Sequence, residues 1–191
     1  MKINETKLPF VSSLKNRKET KYIVLHHRAG DGDAESIHKS HLALGWSGAG
    51  YHFYVRKDGK IFSLRPEASV GAHASGFNDK SVGICFEGNF EKEEMSINQQ
   101  ASAKELIKYL REKYKGAEVK RHSDLLPTLC PGKNFPFDKV TKTQIESAND
   151  ICWELKQRIK IEDTQGFVLA LDKAKKENSP LYWGYFKIVN S

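Results

Sequence analysis

Several features are scarce or missing in this chain of 191 residues. It has no run of about 18 apolar residues, so no membrane-spanning helix is expected. Residues 1–20 lack the unbroken apolar stretch of a signal peptide, so we expect synthesis in the cytoplasm without an export signal. Cysteine occurs only as Cys85, Cys130 and Cys152, an odd set at wide spacings. This pattern argues against a disulfide framework and favours a reducing compartment of origin.

The charge is unbalanced towards the basic side. The chain has 31 basic and 24 acidic residues, which gives a net charge of +7. Such an excess favours encounter with a polyanion such as nucleic acid, anionic lipid or anionic cell wall. No Arg-rich run or stacking-aromatic motif of a known nucleic-acid module is present, so nucleic acid is not an expected partner. Apolar residues at 39% are sufficient for a proper core.

Predicted strands and helices alternate along the chain. The strands are expected at 22–25, 51–55, 61–64, 81–86 and 119–121, and the helices at 35–44, 97–114 and 141–159. Asp58-Gly59 marks a tight hairpin between the second and third strands. Ser96 and Gln99 form a capping box for the second helix. This alternation predicts an α/β fold of the mixed α+β kind, with a central mixed β-sheet flanked by helices.

The pattern changes at both ends of the chain. Residues 1–20 are polar and are interpreted as an N-terminal arm, and residues 21–159 as the main domain. Residues 160–191 form a C-terminal extension, in which Lys-rich sequence is followed by the aromatic cluster at 181–186. We expect this cluster to pack on the main domain, with a binding surface as the alternative.

Three potential metal ligands follow predicted strands. His26 lies at the end of one strand, His122 follows another, and Cys130 comes eight residues later in a Cys-Pro-Gly turn. Imidazole and thiolate are natural zinc ligands, and three protein ligands with one open position are typical of catalytic zinc sites. The His-x7-Cys spacing is not that of a zinc finger, so spacing alone leaves ordinary structural roles open.

Six short sequence blocks of two or more residues follow one another along the chain. They are Ile-Val-Leu-His-His at 23–27, Gly-Trp at 45–46, Gly-Tyr-His-Phe at 50–53, Gly-Ala-His at 71–73, Ser-Val-Gly-Ile at 81–84, and His-Ser-Asp with Thr-Leu-Cys-Pro-Gly within 122–132. This series resembles the type 2 N-acetylmuramoyl-L-alanine amidase family, which includes phage lysozyme-type amidases and peptidoglycan-recognition proteins. The resemblance implies the amidase fold and one Zn²⁺ per chain.

The resemblance also assigns roles to individual residues. It implies His26, His122 and Cys130 as the zinc ligands, Tyr51 and Thr128 as catalytic residues, and His73 and Asn78 as substrate-binding residues of the muropeptide groove. Adjacent side chains on a strand point to opposite faces, so His26 and His27 cannot both reach the metal. The family pattern favours His26, and a register slip of one residue would exchange their roles. His41 and His52 are expected to be structural.

The function implied by the resemblance is hydrolysis of the amide bond between N-acetylmuramic acid and L-alanine of peptidoglycan. We expect a monomeric phage or prophage endolysin that acts on the bacterial cell wall after release. The alternatives are a non-catalytic peptidoglycan-binding module and a secreted antibacterial amidase effector. Cys85 occupies a position where some relatives have a glutamate general base, so a base at that position is not expected here.

Overall fold

A computed structural model describes residues 1–141 and 164–177 of the chain. Its centre is a six-stranded sheet with the order β1-β4-β3-β5-β2-β6. The strands are β1 (Ile3–Glu5), β2 (Tyr22–His27), β3 (Phe53–Val55), β4 (Ile61–Ser63), β5 (Ser81–Phe86) and β6 (Glu118–Arg121). The predicted mixed α/β architecture is confirmed.

Parallel pairing dominates the middle of the sheet. β2 lies between β5 and β6 and pairs in parallel with both, while β3 pairs in parallel with the other edge of β5. β3 and β4 are antiparallel and form the hairpin predicted from Asp58-Gly59. Gly59 has a φ of 85°, a conformation that glycine adopts without the strain of a Cβ atom. The carboxyl ends of β2, β5 and β6 therefore lie side by side at one edge of the sheet.

Helices cover both faces of this sheet. α1 (Ala34–Ala43) begins at Asp33, which accepts a hydrogen bond from the backbone N–H of Ser36. α2 (Ile97–Lys113) begins at Ser96, which accepts from the backbone N–H of Gln99 at 3.1 Å, as predicted. The Gln99 side chain does not complete the predicted capping box and donates instead to the carbonyl oxygens of Val55 and Glu87. α3 (Phe137–Thr141) is a short helix.

The two sheet faces have different cores because strand side chains alternate between faces. The larger core contains Ile23, Leu25, Val82, Ile84, Phe86, Ala103, Leu106, Ile107 and Leu110. It joins the sheet to α2. The smaller core joins Ile37 of α1 to Tyr54 and Cys85 on the other face. Because Leu25 faces α2, the next residue along β2, His26, points to the α1 face.

Besides the short helix α3, two elements differ from the sequence-based expectation. Ile3–Glu5 forms the edge strand β1, paired in parallel with β4, within the segment interpreted as an arm. Thr164–Lys176 is a helix, α4, in which Leu171 and Ala174 are buried. The chain divides into two compact units, residues 1–141 and 142–191.

Most of the C-terminal predictions fall beyond the described part of the chain. The helix predicted at 141–159 and the aromatic cluster at 181–186 lie outside the described residues, apart from residue 141 at the end of α3. The division into an arm, an amidase domain and an extension stays a prediction. Within residues 1–141 and 164–177, no helix has both the length and the apolar character needed to span a membrane.

Candidate active site

The site lies where the neighbouring parallel strands β2 and β6 end. His26 is near the carboxyl end of β2, and His122 follows the last residue of β6. A loop then brings Cys130 back to the same edge, where its carbonyl oxygen accepts a hydrogen bond from the backbone N–H of Ser123 at 2.8 Å. The backbone N–H of His27 donates to the Cys130 sulfur at 3.4 Å. The first hydrogen bond closes the loop, and the second holds it against β2.

The structure brings the three predicted ligands together. One potential ligand atom from each of His26, His122 and Cys130 lies within 4.8 Å of the other two. His26 Nδ1 is 3.8 Å from Cys130 Sγ, and the rings of His26 and His122 have centroids 4.4 Å apart. His122 Nε2 is buried and has no hydrogen-bond partner among the described residues. Two imidazoles and a thiol, one with an unsatisfied buried nitrogen, fit a zinc ion.

His27 faces away from this cluster. Its Nδ1 accepts a hydrogen bond from the backbone N–H of Phe90 at 3.2 Å, and its ring lies beside the Phe90 ring in the larger core. Of the two adjacent histidines, the structure therefore places His26 in the cluster with His122 and Cys130.

The electrostatics of the cluster suit metal ligation. Burial lowers the pKa of His26 well below its ordinary value, and the neighbouring His73 and His122 lower it further. Burial also lowers the pKa of His122. Both imidazoles are therefore neutral at pH 7, the form that can bind a metal. Burial raises the pKa of the Cys130 thiol to about 11, against the opposing effect of the His27 N–H. Ligation must therefore release a proton from Cys130.

Tyr51 lies beside the cluster, just before β3. Its ring centroid is 5.1 Å from that of His26 and 5.4 Å from that of His41. Burial raises the pKa of Tyr51 well above its ordinary value, and the neighbouring Cys85 and Cys130 add to this shift. Tyr51 therefore remains a protonated hydrogen-bond donor.

Thr128 is positioned by the same loop as Cys130. Its hydroxyl oxygen accepts a hydrogen bond from the backbone N–H of Cys130 at 3.2 Å. The side chain is partly buried. This contact places the hydroxyl within the turn that presents the cysteine.

The two residues predicted to bind substrate make contacts within the protein. His73 is 8% exposed, and its Nδ1 lies 3.0 Å from His26 Nε2. The side-chain oxygen of Asn78 accepts from the backbone N–H groups of His73 and Ala74, each at 2.8 Å. Direct contact of either residue with a muropeptide stays a prediction.

Two further buried histidines have structural contacts. His41 Nδ1 accepts from the backbone N–H of Gly50 at 2.9 Å, and His52 Nδ1 accepts from that of Gly83 at 3.0 Å. Burial lowers their pKa values to about 4 and about 3, respectively. Both rings are neutral at pH 7 and stabilise neighbouring backbone.

Sequence reasoning missed three features of the site. Cys85 lies near Tyr51 and raises the pKa of its hydroxyl, and burial raises the pKa of the Cys85 thiol well above its ordinary value. The positive charge of Arg28 partly opposes the rise in the pKa values of Tyr51 and Cys85. The Arg28 guanidinium donates a hydrogen bond to Ser36 Oγ at 3.0 Å. The third feature is the contact between His73 and His26. Of these three features, only the position of Cys85 could have been suggested by the sequence, because Cys85 alternates with buried apolar residues on β5.

Two imidazoles at adjacent strand ends and a thiol on the following loop form the three-ligand set that is typical of single-metal catalytic sites. Comparison with known proteins identifies the class more closely. The sequence model of the N-acetylmuramoyl-L-alanine amidase family matches residues 16–133. The endolysin of Escherichia phage T7 is 33% identical over 126 residues, which cover 61% of this chain and 83% of that protein. Peptidoglycan-recognition protein SC2 of Drosophila melanogaster is 32% identical over 127 residues, covering 60% and 69%.

Solved structures show the same relationship. The N-acetylmuramoyl-L-alanine amidase LysC from Clostridium intestinale superimposes with a TM-score of 0.72 at 42% identity, covering 73% of this chain and 95% of that one. The bumblebee peptidoglycan-recognition protein SA gives 0.66 at 26% identity, covering 72% and 92%. The chain belongs to the N-acetylmuramoyl-L-alanine amidase family. It is a hydrolase of the bond between N-acetylmuramic acid and L-alanine, as the sequence blocks predicted.

Proposed function

We propose that His26, His122 and Cys130 hold one Zn²⁺ and that Tyr51 and Thr128 stabilise the oxyanion that forms during amide hydrolysis. The observation that supports this assignment is the convergence of the three ligand atoms within 4.8 Å, beside the Tyr51 ring. The family is generally zinc-dependent, and the donor set of this chain fits that metal.

When bound, Zn²⁺ supplies Lewis acidity, which polarises a carbonyl group and makes water nucleophilic near neutral pH. The protein supplies donors and shape. Tyr51 donates from a hydroxyl whose high pKa keeps its proton in place at neutral pH. Thr128 offers a second hydroxyl from the Cys130 turn. Donors fixed before the reaction stabilise developing negative charge without the cost of reorganisation.

Cys85 does not replace the glutamate base found in some relatives. Burial raises the pKa of its thiol well above the ordinary value, so the thiol is neutral at pH 7. It lies near Tyr51 and raises the pKa of the Tyr51 hydroxyl. We therefore propose that Cys85 is a neutral neighbour of Tyr51 and transfers no proton in the reaction.

The proposed substrate is cell-wall peptidoglycan, and the proposed biological role is that of an endolysin acting as a monomer after release. Its similarity to phage endolysins supports this role. The net charge of +7 favours approach to an anionic cell wall. His73 and Asn78 remain proposed neighbours of the bound muropeptide.

The metal assignment is tested by zinc content. The purified protein is expected to hold about one zinc per chain, and His122→Ala or Cys130→Ser should lose it because each removes one of three ligands. Cys85→Ser is the matched control, since it makes the same substitution at a buried thiol outside the ligand set. Full zinc occupancy in Cys130→Ser would remove Cys130 from that set.

The reaction is tested on purified sacculi. Digestion is expected to release alanine amino groups without new reducing sugar ends, as mass spectrometry of the products can show. His122→Ala serves as the inactive control. New reducing ends would identify a glycosidase, and binding to sacculi without cleavage would favour the non-catalytic binding module.

A further inference from the structure

The two ring nitrogens of His26 have different neighbours. Nδ1 lies 3.8 Å from Cys130 Sγ and faces the proposed metal position. Nε2 lies 3.0 Å from Nδ1 of His73 and so faces the interior. A neutral imidazole has one N–H and one lone pair, so only the tautomer with its proton on Nε2 leaves Nδ1 free to bind a metal.

A chain of hydrogen bonds from the interior selects this tautomer. The carbonyl oxygen of Phe77 can only accept, and Ser81 Oγ donates to it at 2.7 Å. With its proton used there, Ser81 Oγ can only accept from His73 Nε2, which lies 3.4 Å away. His73 then has its lone pair on Nδ1 and accepts from His26 Nε2. The Phe77 carbonyl thus fixes the proton positions on two rings in succession.

The His73 ring occupies a narrow slot. A Cβ atom on Gly71 would lie 2.5 Å from the His73 ring, and one on Gly83 would lie 2.6 Å from it. Asn78 holds the adjacent backbone through its two hydrogen bonds. The ring is 8% exposed and therefore has little freedom to leave the slot. Two glycines and a backbone clamp keep His73 Nδ1 directed at His26.

We propose that His73 is a positioning residue, which holds His26 in the orientation and tautomer that present Nδ1 to the metal. This role rests on the proposed zinc site. It differs from direct contact with the muropeptide, because His73 acts through His26. Partners of this kind on the second nitrogen of a metal-binding histidine typically contribute about 10–100-fold to metal affinity or activity.

Zinc affinity is the primary test, measured on zinc-loaded protein by competition with a chelator. His73→Phe removes the acceptor while keeping a ring, and we expect affinity to fall about 10–100-fold. His73→Asn keeps an acceptor oxygen close to the position of Nδ1, and we expect it to restore affinity to within a few-fold of the parent. A general structural role for the ring would not produce this rescue by asparagine.

His38→Phe is the matched control. His38 is also buried, at 4% exposure, and its Nδ1 accepts a hydrogen bond from the backbone N–H of Ala49 at 3.1 Å. It makes no contact with the three proposed ligands among the described residues. Its loss should therefore lower stability and leave zinc affinity unchanged.

Nitrogen NMR of the histidine rings tests the proposal on the unaltered, zinc-loaded protein. We expect protons on Nε2 of both His26 and His73 and an unprotonated Nδ1 on His73. A proton on His73 Nδ1, or parent-like zinc affinity in His73→Phe, would overturn the positioning role. Failure of the parent protein to bind zinc would instead overturn the proposed metal site on which this role depends. If the variants do not fold, the NMR result on the parent still decides.

Discussion

The change Tyr51→Phe removes a single oxygen atom from the site. The ring should keep its packing against His26 and His41, whose ring centroids are 5.1 and 5.4 Å away. No proposed metal ligand is altered, so zinc content should remain at about one per chain.

Two magnitudes separate a catalytic role from a structural one. A neutral hydrogen bond contributes about 0.5–1.5 kcal/mol to stability, so the free energy of unfolding should fall by no more than that. Loss of an oxyanion donor typically lowers the rate ~10²–10³-fold, or about 2.7–4 kcal/mol in the barrier. We therefore expect activity to fall at least about a hundredfold while the fold and zinc content persist.

The assay is release of alanine amino groups from sacculi, alongside zinc content and urea unfolding. Tyr114→Phe is the control, because its hydroxyl is also partly buried and donates to Glu67 at 2.6 Å. That variant should lose stability but retain activity. If Tyr51→Phe retains activity within a few-fold of the parent, Tyr51 is a packing residue and the oxyanion assignment is incorrect.

Three further predictions concern stability. Ser96→Ala removes the cap that accepts from Gln99, so urea unfolding should show a loss of about 1 kcal/mol, and no change would contradict the capping role. His41 and His52 have folded-state pKa values of about 4 and about 3, below the ordinary 6.5, so the unfolded chain binds protons first as the pH falls. Stability should therefore be full above pH 6.5 and decrease below it, by about 1.4 kcal/mol per pH unit for each histidine; equal unfolding energies at pH 7.5 and 5.5 would refute this. Truncation after Lys160 should lower the melting temperature by a few degrees if residues 160–191 pack as expected, whereas unchanged melting with weaker sacculus binding would make them a wall-binding segment.

The central elements were predictable because their apolar residues form clear patterns, either a continuous run or a stripe at helical spacing. The apolar run of β5 and the apolar stripe of α2 each match the structure closely. β1 was not predicted, because Ile-Asn-Glu is too short and too polar to reveal an edge strand whose stability depends on pairing with β4. The residues of a short strand do not indicate which distant strand it will pair with.

The site shows the same division. The positions of His26 and His122 at strand ends followed from strand prediction, Cys130 followed from its turn after His122, and the family blocks supported the choice of all three. The orientation of His73 towards His26 was not predictable, because the ring fits only in the space left by Gly71 and Gly83, which have no Cβ atoms. A motif indicates which residues meet, whereas the contacts of each ring nitrogen depend on three-dimensional packing.

The position of β6 at the sheet edge has a consequence for the order of folding. His26 lies on an interior strand, while Cys130 follows β6 and is 104 residues further along the chain. Closing so long a loop is slow, because chain entropy is lost before the contacts it permits are formed. The proposed metal site, formed by His26, His122 and Cys130, should therefore be completed late, after β2 and β5 have paired. In hydrogen exchange, amides of β6 and of the 122–130 loop should exchange before those of β2, and zinc should slow their exchange most.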